Sequence, residues 1–222
     1  MQTNRRLEIV ILAIIAGMFA ASAILWSHVP DRMPVHWNLR GQVDRYGGKL
    51  EGLLLLPTVT LGLHLLFLAL PWIDPRRANY QHFARAYKWI QIAFVVLMTL
   101  LHALVLGVAL GYSVDVGLVV PLAVGVLFCL IGNFMGKFRP NWFVGVRTPW
   151  TLSSDLSWNK TNRLGGRMFI VTGIALLMFA FVQNGWMLAI VVALIAAMVT
   201  WLPIYSYLVW RRDGARTLGK QS

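Results

Sequence analysis

His36, Asp44 and Arg45 place an imidazole, a carboxylate and a guanidinium within one short polar stretch, PVHWNLRGQVDRYGGK, residues 34–49. Val35-His36-Trp37-Asn38 and Gln42-Val43-Asp44-Arg45-Tyr46 flank Leu39-Arg40-Gly41, a hairpin-like pattern in which glycine supplies a positive φ. Trp37 and Tyr46 suit the level of lipid headgroups, where an amphipathic ring keeps one edge wet. Two readings fit these residues. The stretch is a small folded cap on helix ends, or His36, Trp37, Asn38, Asp44 and Arg45 line a cleft that binds something arriving from outside. A histidine beside a carboxylate does not separate the two.

A second polar stretch, GKFRPNWFVGVRTPWTLSSDLSWNKTNRLGGR, runs from Gly136 to Arg167. Ser154-Asp155 reads as a helix start, and the Lys and Arg beside Trp158 suit an amphipathic segment lying on a membrane surface. The alternative is a docking surface for a cytoplasmic protein, contacted by Arg147, Trp150, Trp158, Lys160 and Arg163. Asp74-Pro75, followed by Arg76-Arg77, predicts a helix that starts in water, because Asp caps free N–H groups and Pro suits the first turn. That helix would carry Arg85 and Lys88 to headgroup depth.

These polar islands interrupt a chain of 222 residues that is 58% hydrophobic and 13% charged. A soluble domain has nearly twice that charge density, so the composition points to lipid. Six apolar runs are long enough to cross a bilayer: Leu7 to Val29, Leu53 to Trp72, Trp89 to Gly111, Val116 to Met135, Met168 to Gln183 and Trp186 to Trp210. The first resembles a secretory signal ending at Ala21-Ser22-Ala23, but its apolar run continues past that point, so an uncleaved helix is expected. With the N-terminus inside, the inner segments hold sixteen Lys and Arg, including Lys220, and the outer ones hold four: Arg32, Arg40, Arg45 and Lys49. That bias places both termini in the cytoplasm and residues 34–49 outside. The net charge of +12 therefore reads as basic loops at an anionic leaflet, with no direct nucleic-acid binding.

Within the spans, ionisable groups are costly and usually functional. No Asp or Glu lies in the core of a span; Glu8 sits at the edge of the first, which counts against an ion-coupled transporter. His64 and His102 remain. Helix rise puts them roughly 16 and 14 Å from the outer face, close enough in depth to meet. Two histidines without a third ligand make a poor zinc site, so hydrogen bonds to neighbouring helices are the better reading. Gly107-x-x-x-Gly111 and Gly132-x-x-x-Gly136 permit close helix approach. Cys129, the single cysteine, reads as a packing residue. HExxH, GxSxG, GxxxxGK[ST] and GxGxxG motifs do not occur, and no enzyme activity or cofactor is expected.

Pro34-x-His36-x-Asn38-x-x-Gly41-x-x-Asp44 resembles the short N-terminal domain of the Sdp immunity protein (SdpI) family. Asn141-x-x-x-Gly145-Val146-Arg147-Thr148-Pro149-Trp150-Thr151-Leu152, with Trp158-x-x-Thr161-Asn162, is similar to that family's second half, and Asp74-Pro75-Arg76 to its inner connection. The resemblance implies protection of a bacterium from a secreted peptide toxin that collapses the membrane potential. More weakly, it implies capture of a small cytoplasmic repressor at the membrane.

The expectation is an all-α, polytopic bundle of six transmembrane helices in a bacterial inner membrane. Residues 1–72 hold two spans and an extracytoplasmic loop, 30–52. Residues 73–111 hold an inner helix and the third span. Residues 112–222 hold spans four to six and the cytoplasmic loop 136–167. The expected role is immunity to a membrane-active peptide, with tethering of a regulator, or a small-molecule transporter or channel, as alternatives.

Overall fold

The computed structural model describes residues 5–218, so Lys220 lies outside the described residues. Among the described residues, six helices are long and apolar enough to cross a membrane. These are α1 (Arg5–Leu25), α2 (Lys49–Ile73), α3 (Ala84–Ala109), α4 (Val116–Met135), α6 (Asp155–Val182) and α7 (Gly185–Leu218), with a short α5 (Pro149–Ser153) before α6. The chain is a multi-pass membrane helical bundle. Its spans expose large apolar side chains such as Ile24, Leu65, Val96 and Phe181, and bury few of their own residues, as lipid-facing helices do.

The two polar stretches sit at opposite ends of this bundle. Between α1 and α2 the chain forms a β-hairpin, β1 (Arg32–Trp37) antiparallel to β2 (Val43–Gly48), with irregular register around His36. Met33 on β1 is fully buried with Val29, Leu53, Val105 and Leu106, which seats the hairpin on α2 and α3. Gly52 permits that seat, because a Cβ there would lie 2.7 Å from the Met33 sulfur.

At the other end, the α2–α3 connection runs through a 3-10 helix, Arg77–His82, and packs against the loop that precedes α5. Tyr80, Phe83, Tyr87, Phe138 and Trp158 form the buried aromatic core of this region. Asp74 does not cap an α-helix as expected. Its side chain accepts the Arg76 N–H in a tight turn at 2.7 Å, and α3 starts ten residues later, at Ala84.

The surface helix expected from Ser154-Asp155 is a further correction. Ser154 does cap a helix, accepting from Ser157 N–H at 3.0 Å. That helix is α6 itself, which continues unbroken through the fifth span. Ser157, Trp158, Thr161 and Asn162 face the interior, so its first turns are protein core and not a segment lying on lipid.

α4 and α6 make the tightest contact in the molecule. A Cβ on Gly132 would lie 2.5 Å from the Gly166 carbonyl, and one on Gly125 would lie 2.9 Å from that of Gly173. Each helix thus repeats glycine at a seven-residue spacing along the shared face, letting the backbones touch. Gly136, by contrast, is exposed, and Gly111 has a φ of +89° beyond the end of α3, so neither small-xxx-small pair acts as a packing unit.

Candidate functional site

The hairpin brings together the side chains that the sequence singled out. Asn38 organises its turn: the Asn38 carboxamide oxygen accepts N–H groups of Arg40 and Gln42 at 2.9 and 3.1 Å, and its backbone exchanges bonds with Gln42 and Gly41. Gly41 takes a φ of +72°, and a Cβ there would lie 2.7 Å from the Gly117 nitrogen, so the turn rests on the start of α4. Across the strands, His36 Nδ1 and Asp44 Oδ1 lie 2.5 Å apart on an exposed face.

Arg45 turns the other way and pairs with Glu51 of α2 at 2.8 Å; that hydrogen bond, then the Glu51 charge, raise its pKa. Trp37 is half-buried against the Met33 cluster. His36, Trp37, Asn38 and Asp44 line one shallow concavity together with Leu39 and Arg40. The geometry therefore separates the five candidates. Four share a concavity, while Arg45 braces the hairpin to α2.

At the opposite end, buried polar side chains hold the loop. Asp74 is 2% exposed, yet its carboxylate accepts from Arg76 N–H, Tyr80 OH and Trp142 N–H. Asn141 is fully buried; its amide donates to Arg139 and Val144 carbonyls and its oxygen accepts from Phe143 and Val144. Asn162 accepts Val146 N–H at 2.8 Å beneath Gly145, whose φ is +106°. Thr148 and Thr151 form a reciprocal cap on α5, and Thr148 also meets Ser206 of α7 at 2.9 Å.

Among the five residues proposed to meet a partner here, Trp158 is completely enclosed and donates its indole N–H to Phe138 O at 2.8 Å. It supports the loop from inside. Arg147, Lys160 and Arg163 are exposed, and Trp150 is half-buried with its ring 5.2 Å from that of Tyr207. Sequence reasoning missed the organising role of Asp74, Asn141 and Asn162. The available signal was uncharged or acidic side chains recurring in a loop that is otherwise basic and aromatic.

His64 and His102 have different partners. His64 Nδ1 meets Gln91 Nε2 at 2.9 Å, and its Nε2 lies 3.6 Å from Glu8 Oε2. Glu8 also receives a hydrogen bond from Lys88, which is therefore paired inside the bundle and not reaching for headgroups. His102 Nε2 meets Ser22 Oγ at 3.0 Å, and that hydroxyl donates to Leu53 O. The equal-depth expectation fails because α2 begins at Lys49, not Leu53, so His64 sits about 22 Å along its helix. It lies level with the first turns of α1 and α3. His102 instead lies level with the first turn of α2.

The chain matches two families. Residues 137–205 match the SdpI/YfhL protein family, and residues 13–61 match a domain of unknown function, DUF1648. It is 26% identical over 202 residues to Immunity protein SdpI of Bacillus subtilis (strain 168), covering 90% of this chain and 95% of that one. No solved structure matches it. The first match holds the Asn141, Thr148, Trp158 and Asn162 framework, and the second spans the hairpin and the Ser22–Leu53 contact. The chain is thus a multi-pass membrane protein similar along most of its length to an SdpI immunity protein, with its 137–205 segment matching the SdpI/YfhL family.

Proposed function

We propose that the protein confers immunity to a membrane-active peptide toxin, with the hairpin end facing the cell exterior. The observation that carries this reading is the similarity, along nearly the whole chain, to a protein named for immunity. The hairpin supports it physically. It offers His36 and Asp44 as an exposed polar pair, with Trp37, Leu39 and Tyr46 beside them, at the end of a bundle whose other loops carry most of the Lys and Arg. An amphipathic peptide meeting this surface would find aromatic area and a polar, hydrogen-bonding pair at headgroup level. Held there, it is kept from inserting or assembling. To test this, the protein is produced in a strain sensitive to the toxin countered by the Bacillus subtilis relative, and membrane potential is followed on challenge. Protection is expected, and unchanged depolarisation at verified expression would refute it.

A second reading, tethering of a cytoplasmic regulator, is favoured by a polar concavity at the opposite end. Arg76, Asn79, His82, Arg139, Asp155 and Asn159 line it. Exposed Arg147, Lys160 and Arg163 add positive charge to the same loop region. Co-purification of a small regulator with the full-length protein, lost on Arg139→Glu, is the expected result.

A further inference from the structure

A cavity of about 360 Å³ opens between the C-terminal half of α2, the 3-10 helix and the start of α3. Its walls are of two kinds. Phe67, Trp72 and Tyr87 give it an apolar and aromatic lining, while Arg77, Gln81, Lys88 and Gln91 are its polar members.

The charges around it do not cancel. Lys88 is neutralised by Glu8. The Asp74 oxygens are occupied by the backbone of Arg76 and Trp142 and by the Tyr80 hydroxyl. Arg77 has no ion-pair partner among the described residues, and its side chain is exposed. One uncompensated guanidinium therefore stands at the cavity. Its depth is marked by Trp72, 79% exposed, and by Trp89, 51% exposed one helix away. Exposed tryptophan at the ends of spans is the signature of the headgroup level.

We propose that this cavity binds one anionic phospholipid. The phosphodiester meets Arg77 at the mouth, above Lys88 and Gln91, which stay paired with Glu8 and His64, and the first acyl methylenes lie along Phe67 and Trp72. A guanidinium suits a phosphodiester because its planar N–H fork matches two phosphate oxygens. A basic pocket between spans, walled by apolar side chains at headgroup depth, selects a lipid anion over a free one. Of the charged side chains that line the cavity, Arg77 is the one without an ion pair among the described residues, and its sign is opposite to that of a phosphatidylglycerol headgroup.

The test uses the full-length protein in a neutral detergent, titrated with phosphatidylglycerol, with phosphatidylcholine, or with inorganic phosphate. Thermal unfolding and native mass spectrometry are the readouts. Phosphatidylglycerol at saturation is expected to raise Tm by at least about 5 °C and to add one retained lipid. Phosphatidylcholine and phosphate should give less than half that shift. Arg77→Gln should weaken the response at least about tenfold in lipid concentration, as loss of a charge-assisted contact does. Ala78→Phe, which fills the cavity from the 3-10 helix, should abolish it. Arg211→Gln, an exposed cation on α7, controls for general basic attraction and should respond as the unaltered protein does. Equal stabilisation by phosphatidylcholine or by phosphate alone overturns the proposal, as does an unchanged response of Arg77→Gln.

Discussion

Asp74 Oδ2 accepts the backbone N–H of Trp142 at 3.0 Å, joining the end of α2 to a loop 68 residues further along the chain. The same oxygen accepts the Tyr80 hydroxyl at 3.0 Å. One carboxylate thus ties the first three spans to the loop that begins the SdpI/YfhL match. The two halves of the bundle are joined here and at the Gly41–Gly117 contact near the hairpin.

Asp74→Ala leaves the buried Tyr80 hydroxyl and the part-buried N–H groups of Arg76 and Trp142 without their acceptor. A buried group left so costs about 1–3 kcal/mol and one within reach of water less, so a loss of at least about 1 kcal/mol is expected. Asp74→Asn keeps an acceptor oxygen and should lose less. Thermal unfolding in detergent ranks the three proteins, and equal stability of all three contradicts the role given to this carboxylate.

Tyr80 gives the loop end a pH dependence. Burial first, then the Asp74 charge and hydrogen bond, push its phenol far above the usual range. Below about pH 10 folded and unfolded chains both keep that proton, and the contribution to stability is fully present. Above it the unfolded chain loses the proton while the folded chain retains it, so stability falls as pH rises. Tyr80→Phe should lose about 1 kcal/mol near neutrality but show a shallower alkaline decline than the unaltered protein. Parallel denaturation curves from pH 8 to 11 provide the comparison.

Glu8 and Lys88 are a pair formed between α1 and α3 inside the bundle. Removing either partner alone strands a charge, at a cost of about 3–5 kcal/mol. Glu8→Leu with Lys88→Met should be less destabilising than the sum of the single changes. A double-mutant cycle on unfolding free energy reads this directly, and strict additivity would show that the pair does not couple.

Gly132→Val should prevent α4 from closing on α6, because even a Cβ would press within 2.5 Å of the Gly166 carbonyl. Overpacking at a well-packed contact costs about 1–3 kcal/mol, more when backbone must move. Gly136→Ala, whose added carbon would meet only Arg163 at an ordinary 3.7 Å, should be tolerated. Monodisperse yield on size-exclusion chromatography separates the two.

Span number was legible because the bilayer demands about twenty apolar residues per helix, a signal long enough to survive errors at the ends. The hairpin was legible through Gly41 and the flanking alternation. What escaped were features that depend on which helices touch. His64 finds Glu8 because three helices converge, and no single-helix ruler contains that. Gly125, Gly132, Gly166 and Gly173 matter as facing pairs, whereas each chain segment alone shows only common small residues. Trp158 looked like a membrane-surface anchor beside Lys160 and Arg163, yet its helical face turns inward with Thr161 and Asn162. Local charge composition does not report that face.

In the proposed function, the toxin is met at the hairpin face carrying His36 and Asp44. This is tested by challenging toxin-sensitive cells that produce either the unaltered protein or His36→Ala combined with Asp44→Ala, while recording membrane potential. At equal membrane abundance, the double variant is expected to lose at least about tenfold in the toxin dose withstood, as removal of a charge-assisted pair from a binding surface would give. Full protection by that variant would contradict the claim.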